Sequence, residues 1–551
     1  MKLIKENSKK RKIESIKEYI IDIEQCIVLI YLFCMLGIFP LYYKEQYYKI
    51  GTVKLGLFWK VSLGITGIFF VFFCIKIVLN KLMLKRKVKD FKNIFLEFLE
   101  NLSALDYAVF IYAICVLLSY AFSDYKEFAF KGAAGWEMGL CSQIIFVAIY
   151  FIISRQKALS ILALIIHLTA SSLTFVLGIL HRFEIDPLGM YEGLELIHKV
   201  EFLSTIGQAT WFSSYVCTVF AIGMILFYVS SRKWIRVISG IYTVTSFGIL
   251  VTQNSDSAFM AIAGIILLLG DFSLRDIKKW CRFWQIMCLM WGTFGGIGLL
   301  QKIFADRVIP LDSLSIFFSQ SKITLVMLVI SLVIMLFYTY CCRNEKKSYT
   351  KQIMKITKII YRGFLLILVI GIIVGIIFIY LNTKGYLLTW FGFQSTHKYL
   401  LFDFQWGNRR GAIWMLCWQG FRNLPWFQKL FGVGPDSLAV YLYSIPDIKE
   451  LLYGLLGDAT LTNAHNEYLN SLICYGAVGL VSWLAVLIGG IRYFYNKAKE
   501  NPFMIAFALC IMGYACHNIF CYQQVCCTPF LFIALGIGES LTKSENFNTI
   551  K

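Results

Sequence analysis

The stretch NAHNEYLNSLICYGAVG, residues 463–479, sets one histidine among polar amides at the edge of an apolar run. Such a residue can take a proton near neutral pH or hold an anion through a ring N–H. Thr462 or Asn463 suits a helix cap, which places His465 in the first helical turn. There the positive end of the helix dipole favours the neutral, proton-accepting imidazole, and free amides favour a phosphate. Leu469, Leu472, Gly476 and Gly479 continue that face at three- and four-residue steps, and the Gly476-x-x-Gly479 pair lets another helix come close. A plain cap or an interfacial anchor is the bland alternative for the same histidine. Upstream, GNRRGAIW carries Arg409 and Arg410. Their planar, permanently charged forks match phosphate oxygens, and headgroup anchoring is the competing explanation. Gly432, Gly434 and Pro435 in LFGVGPDSLAVY bend the chain between the two motifs, so that Arg410 and His465 can meet.

These residues must be positioned by membrane helices. The chain of 551 residues is 58% hydrophobic and repeats apolar runs of about twenty residues, the length that crosses a bilayer. Its net charge of +20 sits in short Lys/Arg loops between the runs, which accounts for it as topology rather than as a nucleic-acid surface. The 17 cysteines lie mostly inside apolar runs and lack zinc spacing. Cys516, Cys521, Cys526 and Cys527 gather near one loop, where pairing is allowed but not required. Spans are expected near 25–43, 57–80, 104–122, 138–154, 159–180, 210–230, 234–252, 257–270, 283–303, 323–342, 360–381, 470–491, 502–520 and 526–540, about fourteen in all. The fold class is all-α, a polytopic integral membrane protein.

No small-residue cleavage site follows the basic segment MKLIKENSKKRKIESIKEYIIDIEQ, so the first span is read as uncleaved, with the N-terminus cytoplasmic. Counting from there, KLMLKRKVKDFKN, SRQK, SRKWIR, LRDIKKWCR, RNEKKSYTKQIMKITK and RYFYNKAKE face the cytoplasm, each basic as the positive-inside rule requires. Both termini then lie inside. The chain divides into 1–200, a basic segment and first spans; 201–381, central spans; 382–464, a long extracytoplasmic loop; and 465–551, C-terminal spans. In that loop GAIWMLCWQGFRNLPWF places Ile413, Leu416, Cys417, Gly420, Phe421 and Leu424 at helical spacing among Trp414, Trp418 and Trp426. This pattern predicts a helix lying in the headgroup layer or packed on the rim of the bundle.

The order RRGAIW, LFGVGPDSLAVYL, AHNEYLNSLICYGAVGL and a late HNIFCYQQVCCTPFLFIALGI resembles the O-antigen ligase and polymerase family of bacterial membrane glycosyltransferases. The ligase pattern is His, then Asn, Ser or Gln, nine residues, Gly, two residues and Gly; His465, Asn466, Gly476 and Gly479 meet it. FLSTIGQATWFSSYV is similar to the family's Ser-Thr-x-Gly-Asn segment, with Gln208 where Asn is commoner. The likeness runs over roughly residues 200–540. Two departures stand out. Members often carry an Arg in a turn between mid-chain spans, where TQNSDSAF has Asp256 instead, and the spans exceed the family's usual dozen. A two-arginine clamp would then need Arg409, or another outer cation such as Arg182, Lys199 or Lys384.

The resemblance implies a type C glycosyltransferase-like fold. It implies transfer from an undecaprenyl-pyrophosphate-linked glycan donor to a hydroxyl of a glycan, lipid or protein acceptor, among membrane lipids at the outer face of the bacterial cytoplasmic membrane, with no cofactor. Arg410 with Arg409 would stabilise the leaving pyrophosphate. His465 would accept the acceptor's proton or hold the pyrophosphate, and Asn466, Asp256 and Gln208 would contact substrates. Asp256 either pairs with Arg410 or an acceptor hydroxyl, or merely caps the next helix. FEID sets Glu184 two residues before Asp186, a spacing used by some metal-dependent transferases, but it reads better as solvated surface charge, so transfer is expected to need no metal. Ligase and polymerase share these motifs and differ in acceptor. A transporter of lipid-linked glycans is the non-enzymatic rival; transporters place ionisable groups deep in their spans, where this chain has His167 and, near an end, Lys76.

Overall fold

The computed structural model describes residues 2–84, 102–156, 161–343, 347–397, 399–457 and 459–543. Hydrocarbon offers no partner to a free backbone amide, so each apolar run closes its hydrogen bonds within a helix. In chain order the principal helices are α1 (Lys2–Leu32), α2 (Ile50–Leu84), α3 (Ala104–Ala121), α4 (Leu140–Ser154), α5 (Ile161–Arg182), α6 (Ala209–Val229), α7 (Lys233–Thr252), α8 (Ser257–Ser273), α9 (Ile277–Ile303), α10 (Lys322–Arg343) and α11 (Lys347–Thr383). After these come α12 (Trp406–Asn423), α13 (Trp426–Phe431), α14 (Pro446–Leu456), α15 (Glu467–Lys497), α16 (Ile505–His517) and α17 (Thr528–Lys543). Each expected span falls on a helix. Among the described residues 10 helices are long and apolar enough to cross a membrane, while α4, α8, α16 and α17 are shorter.

Several helices run past the expected boundaries. The stretch read as a cytoplasmic loop before residue 360 is helical from Lys347, because Lys, Gln and Met are good helix formers and its Met354, Thr357 and Tyr361 are buried. Thr357 meets Tyr338 of α10 at 2.6 Å, and Tyr361 donates to the Leu267 carbonyl of α8 at 2.6 Å. Beyond that anchor α11 exposes Ile367, Ile370, Ile373 and Ile377, as a lipid-facing helix does.

α16 is the opposite case, apolar on every side and buried on every side. It packs against α6, α8 and α15, while α15 also packs along α3 and α17 along α4. Such a central helix fixes where its ends lie, and its last residue, His517, is held at one end of the bundle. That same end is closed by Arg182, which is fully buried and donates to the carbonyls of Thr252, Lys199 and Val200 at 2.8, 3.1 and 2.9 Å. A guanidinium so engaged pins α5, α7 and the segment before the short hairpin Phe202–Leu203 (β1) and Gly207–Gln208 (β2). Arg182 is therefore a strut, and its donors are already committed to carbonyls. Asp186 is tied down as well: its oxygens meet His181 Nε2 at 3.3 Å and the Tyr191 N–H at 2.6 Å. His167 of α5 is buried with Nε2 3.4 Å from the Val219 carbonyl, and Lys76 meets Glu24 at 2.6 Å. All the cysteines described are free thiols, including Cys516, Cys521, Cys526 and Cys527.

Candidate active site

The arginine pair is split by the backbone. Gly407, Asn408 and Arg409 all adopt left-handed φ, at 58°, 58° and 66°, just before α12 becomes regular. Glycine tolerates this and asparagine nearly so, whereas arginine pays about 1–2 kcal/mol. The kink turns the two side chains apart. Arg409 is exposed and donates to the Leu455 carbonyl at 2.9 Å, at the end of α14. Arg410 turns inward, with its guanidinium 5.9 Å from the Phe520 ring centre. Its Nη1 reaches the Gly407 carbonyl at a long 3.4 Å, and its Nε is buried without a partner. Burial pushes the Arg410 pKa down, against the opposing pull of Cys521 and Asp256. A charged fork with donors to spare is a ready anion site.

The face of α12 that buries Ile413, Leu416, Cys417 and Gly420 is the one its spacing predicts, and it lies on the bundle while Trp418 points out. Trp414 stacks on Phe520 and donates to the Ala464 carbonyl at 3.1 Å, tying α12 to the residue before His465.

His465 corrects the expected helix start. The cap is Asn466, whose side chain accepts from the Leu469 N–H at 2.9 Å, and α15 begins at Glu467. His465 stands just outside the helix with φ 48°, its own N–H held by Asn463 at 3.0 Å. Asn463 thus shapes the turn and Asn466 performs the capping. The imidazole packs edge-on against Tyr522, ring centres 5.3 Å apart. Burial, and then the positive charge of Arg410, push its pKa down to about 4. The ring is neutral at pH 7 for these reasons, not for the helix-dipole reason inferred from a first-turn position.

A second correction concerns the glycines. The face running from Leu469 does not continue unbroken, because Gly476 takes φ 70°, ψ −175° and interrupts α15. Only glycine occupies that region freely. The break releases the carbonyls of Ile473 and Cys474, which accept from the N–H groups of Val433 and Gly434, each at 3.0 Å, and Cys474 also from Ser119 at 2.6 Å. The close approach at Gly476 is to backbone of Leu430 and Phe431, at the end of α13. The LFGVGPD loop and α15 are therefore locked backbone to backbone. Within that loop Asp436 is buried, accepting from the N–H groups of Ala133 and Met138 at 2.8 and 3.1 Å; burial raises its pKa to about 7 against those two bonds.

Asp256 occupies the N-cap position of α8, but its side chain makes no cap hydrogen bond. Its charge bears on Arg410 instead. Asp256→Asn is expected to lower turnover about tenfold, a little over 1 kcal/mol of transition-state energy, measured on purified protein. Wild-type turnover would return Asp256 to the role of a spacer. Gln208 opens α6, half-buried and paired in the hairpin with Phe202. That segment reaches the site further on, through Trp211, which donates to Tyr522 at 3.3 Å, and through Ser213.

Sequence reasoning missed the buried polar group under these residues. Glu467, next to the cap, accepts from Tyr514 at 2.9 Å, Gln523 at 3.3 Å and the Asn518 amide. Asn518 accepts from His517 Nδ1 at 3.3 Å, and His517 Nε2 lies 2.9 Å from both Ser213 and Ser257. The signal was present as HNEY and HNIF, but nothing local says that the two segments touch. This array fixes the start of α15, hence His465, to the end of α16 and the start of α8, hence Asp256. Glu467→Ala would strand at least one buried donor and is expected to cost about 3 kcal/mol, a fall of about 2–3 °C in melting temperature for a chain this size. An unchanged melting curve would show that the array does not hold the site.

Arg410, His465 and Asp256 are thus gathered at one end of the bundle, Arg409 is turned away, and Asn466 and Gln208 stand at helix starts. No curated protein matches the chain. Residues 308–484 of this multi-pass membrane chain, which include Arg409, Arg410, His465, Asn466, Gly476 and Gly479, match the family model described as O-antigen ligase.

Proposed function

We propose that the chain transfers a glycan from an undecaprenyl-pyrophosphate donor to an acceptor hydroxyl, at the outer face of the bacterial cytoplasmic membrane, in surface-polysaccharide biosynthesis. The observation that supports this best is a half-buried arginine, its Nε buried without a partner, beside a histidine that is neutral at pH 7. In the reaction the acceptor oxygen bonds to the sugar C1 while the C1–O bond to pyrophosphate breaks, the electron pair leaving with the phosphate. Arg410 meets the charge that grows on that oxygen, and His465 takes the proton shed by the acceptor. Both groups act without a further reactant. Asn463, two residues before His465, lines with Trp136, Asp436 and Gln523 a polar pocket of about 20 Å³, the size of one hydroxyl or water.

Purified protein in proteoliposomes, given a labelled lipid-linked glycan and an acceptor, should release undecaprenyl pyrophosphate and lengthen or modify the acceptor. Movement of the intact lipid-linked glycan across the bilayer, with no change in its attachment, would overturn the reading. Deletion in the source cell then separates ligase from polymerase. Finished glycans accumulate on the lipid when a ligase is lost, and single repeat units when a polymerase is lost.

A further inference from the structure

We propose that the groove between α6, α7 and α9, at the end of the bundle away from His465, binds one anionic phospholipid. α7 has 20 residues and so rises about 30 Å, from Lys233 to the Thr252 end near Asp256. The cationic end of the groove is therefore separated from the site by about the thickness of a bilayer's hydrocarbon, while its apolar walls run along α7 as far as Thr245. It has a volume of about 670 Å³. At its α7 start stand Lys233 and Arg236, and its walls are the apolar Phe227, Ile241, Val244 and Leu289.

Charge decides the occupant. The Nε of Arg236 is buried with no partner, and among the described residues neither Lys233 nor Arg236 forms an ion pair. Arg282 of α9 adds a third positive charge close enough to act on Arg236. The first turn of α7 has no side-chain cap, so its amides also present positive charge. The acids of the adjoining loop are used elsewhere: Asp271 accepts from Tyr495, and Asp276 caps α9 through the Lys278 N–H at 2.7 Å. Cations gathered at one end of an apolar trough fit an amphiphile, with its phosphate on Arg236 and Lys233 and an acyl chain along Ile241 and Leu289. A free phosphate would use the cations and leave the trough unfilled.

The full chain, purified and placed in nanodiscs of equimolar phosphatidylglycerol and phosphatidylcholine, provides the test by native mass spectrometry of retained lipid. Wild-type protein should retain phosphatidylglycerol over phosphatidylcholine by about tenfold. The double variant Lys233→Gln with Arg236→Gln should retain both equally. Gly240 lines the trough, and a Cβ there would sit 3.4 Å from the Phe227 ring, so Gly240→Leu fills the trough while leaving the cations in place and should also abolish retention. The proposal is overturned by equal retention in wild type, by full preference in Gly240→Leu, or by displacement of the lipid with millimolar inorganic phosphate, which would mark a free-phosphate site.

Discussion

Arg410→Ala should slow glycan transfer by the purified protein about 100- to 1000-fold, with membrane insertion and melting temperature little changed. That is the scale of losing one preorganised donor to a developing oxyanion, about 2.7–4 kcal/mol. The expectation follows from the geometry: Arg410 is half-buried beside Phe520, its Nε has no partner, and its nearest carbonyl is 3.4 Å away, so little protein structure depends on it. Arg410→Lys should recover part of the rate, since charge survives and the bidentate fork does not. Arg409→Ala should be much milder, because that side chain is committed to the Leu455 carbonyl. A near-normal rate in Arg410→Ala, measured with labelled donor in proteoliposomes, would remove the anion clamp from the mechanism.

His465→Ala should cost about 100- to 10,000-fold, the range of a general base. The pH profile carries the sharper test. Burial and the Arg410 charge hold the imidazole down to about 4, so the free protein keeps its proton acceptor from alkaline pH to about pH 5. kcat/KM should stay level over that range and fall as pH drops through about 4. Stability linked to the same group has the same sign: the unfolded chain takes the proton first, near pH 6.5, so the contribution is whole above that value and is lost as pH falls toward 4. A loss of rate centred near 6.5 would mean that His465 does not sit in this environment during turnover. His465→Gln separates the two roles, since an amide can hold a phosphate but cannot take the proton. Recovery in that variant would make His465 a pyrophosphate ligand.

The membrane architecture was legible because hydropathy is a local property: about twenty apolar residues must be a span wherever they stand. The residues proposed to carry the chemistry stand out for a similar reason. A lone histidine among amides before a glycine-spaced span, and an arginine pair on the segment that leads to it, are unusual against an apolar background. What failed was local geometry at the ends of elements. TNAHN offers three polar residues able to cap a helix, and the choice of Asn466 depends on Asn463 and Asn470 being drawn to the backbone of His465 and Ala464.

The sequence by itself therefore determined the all-α membrane architecture and the order of the motifs, and it singled out Arg410 and His465, to which the proposed chemistry is assigned. Only the tertiary structure decided how they are aimed. Three successive left-handed residues, at Gly407, Asn408 and Arg409, send one arginine out and the other in, and no propensity argument places an arginine at φ 66°. Gly476 reads in sequence as a smooth packing face and proves to be a break, because the carbonyls it frees are claimed by Val433 and Gly434, some forty residues upstream. Glu467, Asn518, His517 and Ser257 meet because a buried polar group must find partners, and in a membrane bundle those partners come from other helices.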